Sequence, residues 1–150
     1  MRNPSDNWND VTHRALFALM VTASLGGITA AHADGASGLL PSELTSEHGG
    51  FRLTLHSTPA PIPVNELFEM VVRVDASAAA DDSSNPVWLR ASAEMPAHKH
   101  GMNTRVIVEQ LENGEFALKG LLFHMRGEWL ITFDVAKGRV HEQAKVRVLL

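Results

Sequence analysis

The chain of 150 residues and 16.3 kDa has room for about one domain, which excludes multidomain machinery. At 45% apolar and 20% charged residues it is too apolar for intrinsic disorder, and a net charge of -4 with a pI near 6.0 argues against a nucleic-acid partner. The absence of cysteine excludes disulfides, thiolate zinc sites, iron-sulfur clusters, lipoprotein anchoring and cysteine nucleophiles.

Residues 1–33 read as an export signal. Arg14 precedes the apolar run from Ala15 to Ala30, and the small-residue triplet Ala31-His32-Ala33 comes next, the order of a secretory signal with cleavage expected after Ala33. The alternative is a retained membrane anchor, for which a run interrupted by Gly26 and Gly27 is short. The expected location is the periplasm or another exported compartment, with no stable membrane span once the signal is removed. Residues 34–49, rich in Gly, Ser and acidic side chains, read as a flexible lead-in to a domain over 50–150.

Period-two patterns then recur between turn signals. Phe51, Leu53 and Leu55 alternate with polar residues in a first strand, and Phe68, Met70, Val72 and Val74 mark a second. After the low-complexity stretch Asp75 to Pro86, expected to be a mobile loop, Val87 to Met95 forms a third, with Trp88, Arg90, Ser92 and Glu94 on its other face. A fourth strand over Thr104 to Gln110 ends at Glu112-Asn113-Gly114, a tight hairpin signal. The fifth runs from Glu115 to about His124, the sixth from Glu128 to Val135, and the seventh from Val140 to Leu150. About seven short strands without helical period predict an all-β, immunoglobulin-like antiparallel β-sandwich lacking the usual disulfide, preceded by the helix of the signal. Trp88 and Trp129 are expected as core or near-core anchors.

Any chemistry lies in two clusters, Met95-Pro-Ala-His98-Lys-His100-Gly-Met102 and His124-Met125. Past the signal the chain has four methionines and six histidines, and six of these ten fall in the clusters. Thioether and imidazole together suit copper, sulfur favouring Cu(I). Zinc is the weaker option, because the only carboxylate interleaved here is Glu94, which faces away from Met95. If each connection reverses direction, the first, third and fifth strands end at one pole, bringing Met95, His124 and also His56 to the same rim. The alternation places His124 in register with Phe116, Leu118 and Leu122, and points Met125 to the opposite face. The bland alternative is that the histidines are solvated loop or capped rim residues and the methionines plug the end of the core.

These two clusters, with Gly120-Leu-x-Phe123-His124-Met125-x-Gly127-x-Trp129, resemble the YtkA-like domain, a family related to the FixH proteins of cytochrome oxidase maturation. The resemblance covers roughly Gly49 to Leu150. It implies a small extracytoplasmic sandwich linked to copper handling or oxidase assembly. A proline often precedes the glycine of the family's second motif, where this chain has Arg126.

Neither a G-x-S-x-G elbow, an H-E-x-x-H pair nor a P-loop occurs, and the carboxylates lack the spacing of paired acid/base work, so no enzyme is expected. Two functions are compatible with these residues. In the first, an exported protein holds a copper ion, Cu(I) more readily than Cu(II), with Met95, His98, His100, Met102, His124 and Met125, and hands it to a copper-accepting envelope protein. In the second, the same rim is a metal-free protein-protein interaction module of the cell envelope.

Overall fold

In the computed structural model the described residues are 38–78, 80 and 84–150; residues 1–33, expected from the sequence to be an export signal, lie outside them. Among the described residues no helix is long and apolar enough to cross a membrane. The described residues form nine strands: β1 (Glu43–Thr45), β2 (Phe51–Thr58), β3 (Leu67–Ala76), β4 (Val87–Met95), β5 (His100–Gly101), β6 (Ile107–Gln110), β7 (Glu115–Leu122), β8 (Glu128–Lys137) and β9 (Val140–Leu149). They build two antiparallel sheets, ordered β1-β2-β3-β7-β6 and β5-β4-β8-β9. Without the two shortest strands this is the order of an immunoglobulin constant-type sandwich, four strands facing three.

The alternating apolar residues explain the layers. Leu53, Met70, Val72 and Leu118 from one sheet and Trp129, Ile131, Phe133 and Val135 from the other are almost fully buried between them. Each such side chain contributes roughly 1.5–3 kcal/mol when removed from water. The hairpin signal also acts as expected: Asn113 and Gly114 both take positive φ, 55° and 76°, and turn β6 into β7.

Three sequence expectations are corrected. Trp88 is not a core anchor; it is 69% exposed, because it alternates with inward-facing Leu89 and so lies on the outer face of β4. The lead-in carries a strand, β1, which pairs with β2, and Leu40 and Leu44 pack on the core. The fourth strand begins at Ile107 rather than Thr104, and the segment before it contains the unforeseen β5.

One polar network fastens the turn after β1 to β9. The buried Ser46 hydroxyl donates to Glu142 Oε2 at 2.5 Å, and the same oxygen accepts from the N–H groups of Gly50 at 3.0 Å and His48 at 3.3 Å. The Ser46 hydrogen bond, followed by those two N–H groups, holds the Glu142 carboxyl below its ordinary value of 4.5, against an opposing effect of burial. A carboxyl depressed on folding stabilises the fold above its unfolded value, and that contribution disappears as pH falls through the folded one. Glu142→Gln is therefore expected to lower the melting temperature at pH 7 and to converge with the wild type as pH falls below 4.5. A gap that stays constant with pH in melting scans would show that the charge is not what matters.

Candidate metal centre

The rim containing both clusters is assembled by a hairpin and a bulge. At the end of β4 the chain reverses through Pro96 to Lys99, with Lys99 at φ 54° and the N–H groups of His98 and Lys99 both donating to the Met95 carbonyl, at 3.0 and 2.9 Å. His100 thereby becomes the direct cross-strand partner of Met95. Opposed residues in an antiparallel pair project from the same face. The imidazole of His100 therefore stands on the side of the Met95 thioether, which is 1% exposed. Met102, two residues further, returns to that face; its N–H donates to Ala93 O at 3.3 Å and its side chain is half-buried against the core.

His124 reaches the rim differently from the way the alternation predicts. Phe68 pairs with Leu121 and Met70 with Leu118, so β7 carries one residue more than β3 in that interval. Gly120, at φ 76°, stands in this bulge. The extra residue inverts the inward-outward parity from Leu121 onward: Leu121 and Phe123 take the inner row, Leu122 is only half-buried, and His124 does not continue the row of Phe116 and Leu118. It enters from the connection between β7 and β8 instead.

Trp129, fully buried at the start of β8, is the floor. Phe123 stacks on the indole with centroids 4.6 Å apart and planes 11° apart. The His124 and His100 rings meet it edge-on, at 5.4 and 6.2 Å. His100 is the middle of three imidazoles, 5.3 Å from His124 and 5.7 Å from His98. The indole N–H donates to the Met125 carbonyl at 3.0 Å, which pins this connection over the floor while the Met125 side chain stays exposed. Met95 closes the remaining side, its methyl so close to Gly127 that a Cβ there would lie 2.8 Å from it.

The structure thus brings Met95, His100 and His124 around Trp129, with His98 beside His100, Met102 one step inward and Met125 contributing a carbonyl. His56, expected at the same rim, does not reach it: it stands level with Val71 and Ala117 in mid-sheet, exposed on the outer face of β2 and apart from the cluster. The sequence marks Trp129 only as core and gives Gly127 only a turn; their part in shaping the rim depends on packing between β4 and β8.

Two polar details bear on what the rim can bind. The Nδ1 of His124 is buried and has no hydrogen-bond partner among the described residues. Such an orphan is costly, about 1–3 kcal/mol, unless something satisfies it. The Nδ1 of His100 lies 3.2 Å from the Gly101 carbonyl, which favours the tautomer with its proton there and its lone pair on Nε2. Among the described residues no three His, Asp or Glu side chains already form a metal-holding group. The donors here are imidazole and thioether with no carboxylate among them, which suits a soft ion and not a hard one.

No protein-family model matches the chain, and neither the curated proteins nor the solved structures include a significant match.

Proposed function

We propose that this protein is an exported copper carrier, in which His100 and His124 hold the ion over Trp129, Met95 and His98 complete the set, and Met102 and the exposed Met125 serve as accessory thioethers. The observation that carries the reading is the buried, unpartnered Nδ1 of His124, with its ring 5.3 Å from that of His100. Imidazoles sharing one ion at ~2.0 Å have centroids roughly 5–6 Å apart. The His100–His124 and His98–His100 ring pairs are spaced in that range. Resemblance of both clusters to the YtkA-like domain points the same way, as does a donor set free of carboxylates. Copper is cargo in this reading, passed to an acceptor by exchange of ligands. The exposed His98 is suited to open the site, while Met95 stays behind it.

The test is titration with Cu(I), under reducing conditions and against a competing chelator, of the protein without its signal segment. One ion per chain is expected, with binding lost by at least about tenfold in a His100→Ala, His124→Ala variant that melts as cooperatively as the wild type. A wild type unable to compete even with a weak chelator leaves the second reading, a metal-free interaction module. That reading draws on Leu67 and Met125, 65% and 39% exposed at the same end of the sandwich.

A further inference from the structure

The edge of β4 is open. On one side β4 pairs with β8 from Val87 to Glu94, but on the other only Glu94 and Met95 have partners, in β5. The Ala93 carbonyl points to the β5 side, since it accepts the N–H of Met102. Along an antiparallel strand the N–H and C=O of one residue point the same way, and the direction alternates from residue to residue. The main-chain groups of Val87, Leu89 and Ala91 therefore face the open edge, where they have no hydrogen-bond partner among the described residues. Beside them runs a groove of about 490 Å³ lined by Leu89, Arg90, Ala91, Arg105, Val106 and Val108. Neither proline nor an inward charge interrupts Val87 to Ala91, although such devices commonly protect an edge.

We propose that this edge binds the same edge of a second copy of the chain, antiparallel and centred on Leu89, so that two four-stranded sheets become one. The sequence Val87-Trp-Leu-Arg-Ala91 complements itself in that register. On the inner face Leu89 meets Leu89 of the second copy, and Val87 meets Ala91. On the outer face Trp88, 69% exposed, lies opposite Arg90 of the second copy, and the pair occurs twice by symmetry. An indole and a guanidinium attract across such a pair. Three hydrogen-bonded residue pairs give about six main-chain bonds. Shifting the centre to Trp88 or Arg90 leaves two such pairs, and the second of these shifts sets Arg90 against Arg90, so both lose. The groove receives the inward Val87 and Leu89 of the second copy. The contact is independent of the copper reading, since it uses none of the residues at the rim.

The experiment is sedimentation velocity of the purified protein from about 10 µM to about 1 mM. A monomer-dimer equilibrium is expected, weakened at least tenfold by Ala91→Pro, which removes an N–H that faces the open edge and no hydrogen bond within the chain. Because proline there can itself disturb β4, a Trp88→Ala, Arg90→Glu variant on the exposed face is measured alongside and is expected to weaken the dimer as well. Cooperative melting of each variant certifies its fold. A dimer that survives both changes has its interface elsewhere, and a wild type that stays monomeric throughout the range means that something else covers the edge; either result overturns the proposal.

Discussion

Replacing Trp129 by alanine is expected to cost about 3–5 kcal/mol, the largest loss from any single side chain of this sandwich. The indole is fully buried, stacked on Phe123 at 4.6 Å, and its N–H holds the Met125 carbonyl at 3.0 Å. Its removal empties the space under His100 and His124 and releases the connection that carries His124. In a domain of this size the loss corresponds to a fall in melting temperature of more than about 10 °C. Trp129→Phe separates the two contributions. A phenyl ring remains, but the pyrrole half with its donor is gone and the Met125 carbonyl loses its partner, so roughly 1–2 kcal/mol is expected. Chemical denaturation of both variants reads the difference directly. An alanine variant within ~1 kcal/mol of the wild type would mean that the rim does not stand on this indole.

The second large effect is expected at Gly120. Alanine there must adopt a φ near 76°, and its Cβ would lie 2.7 Å from the Arg105 carbonyl oxygen, a backbone atom that cannot swing aside. Left-handed backbone costs an L-residue about 1–2 kcal/mol, and the clash adds to it, giving about 2–4 kcal/mol. Gly49 provides the control. It has the same φ of 76°, yet a Cβ there would meet nothing within 4 Å, so Gly49→Ala carries the conformational cost alone. If the two alanine variants are equally stable by urea titration, the contact with Arg105 is not a constraint. If Gly120→Ala is the weaker by about 1 kcal/mol or more, the bulge is held open by close approach of the chain.

Legibility in the sequence depends on where each constraint originates. The strands β2, β3, β4, β7, β8 and β9 are readable because alternation of apolar and polar residues is a local signal, and Asn113-Gly114 is readable because only certain residues tolerate its turn. The same alternation, applied consistently, puts Trp88 outside; naming it a core residue gives its size precedence over its parity. β1 and β5, of three and two residues, are too short to show a period and exist through their partners.

The two clusters are legible as composition, since six of the ten methionines and histidines past residue 33 fall within them. Their arrangement is not. That Met95 and His100 share a face depends on a two-residue strand, and that His124 meets Trp129 depends on one extra residue at Gly120, which reverses the assignments from Leu121 to His124. The sequence by itself determined an all-β sandwich and the crowding of imidazole and thioether in two stretches, because pattern and composition are carried by neighbours along the chain. Only the tertiary structure decided which of those groups converge, because convergence rests on register between strands distant in sequence, where a single inserted residue exchanges the inner face for the outer.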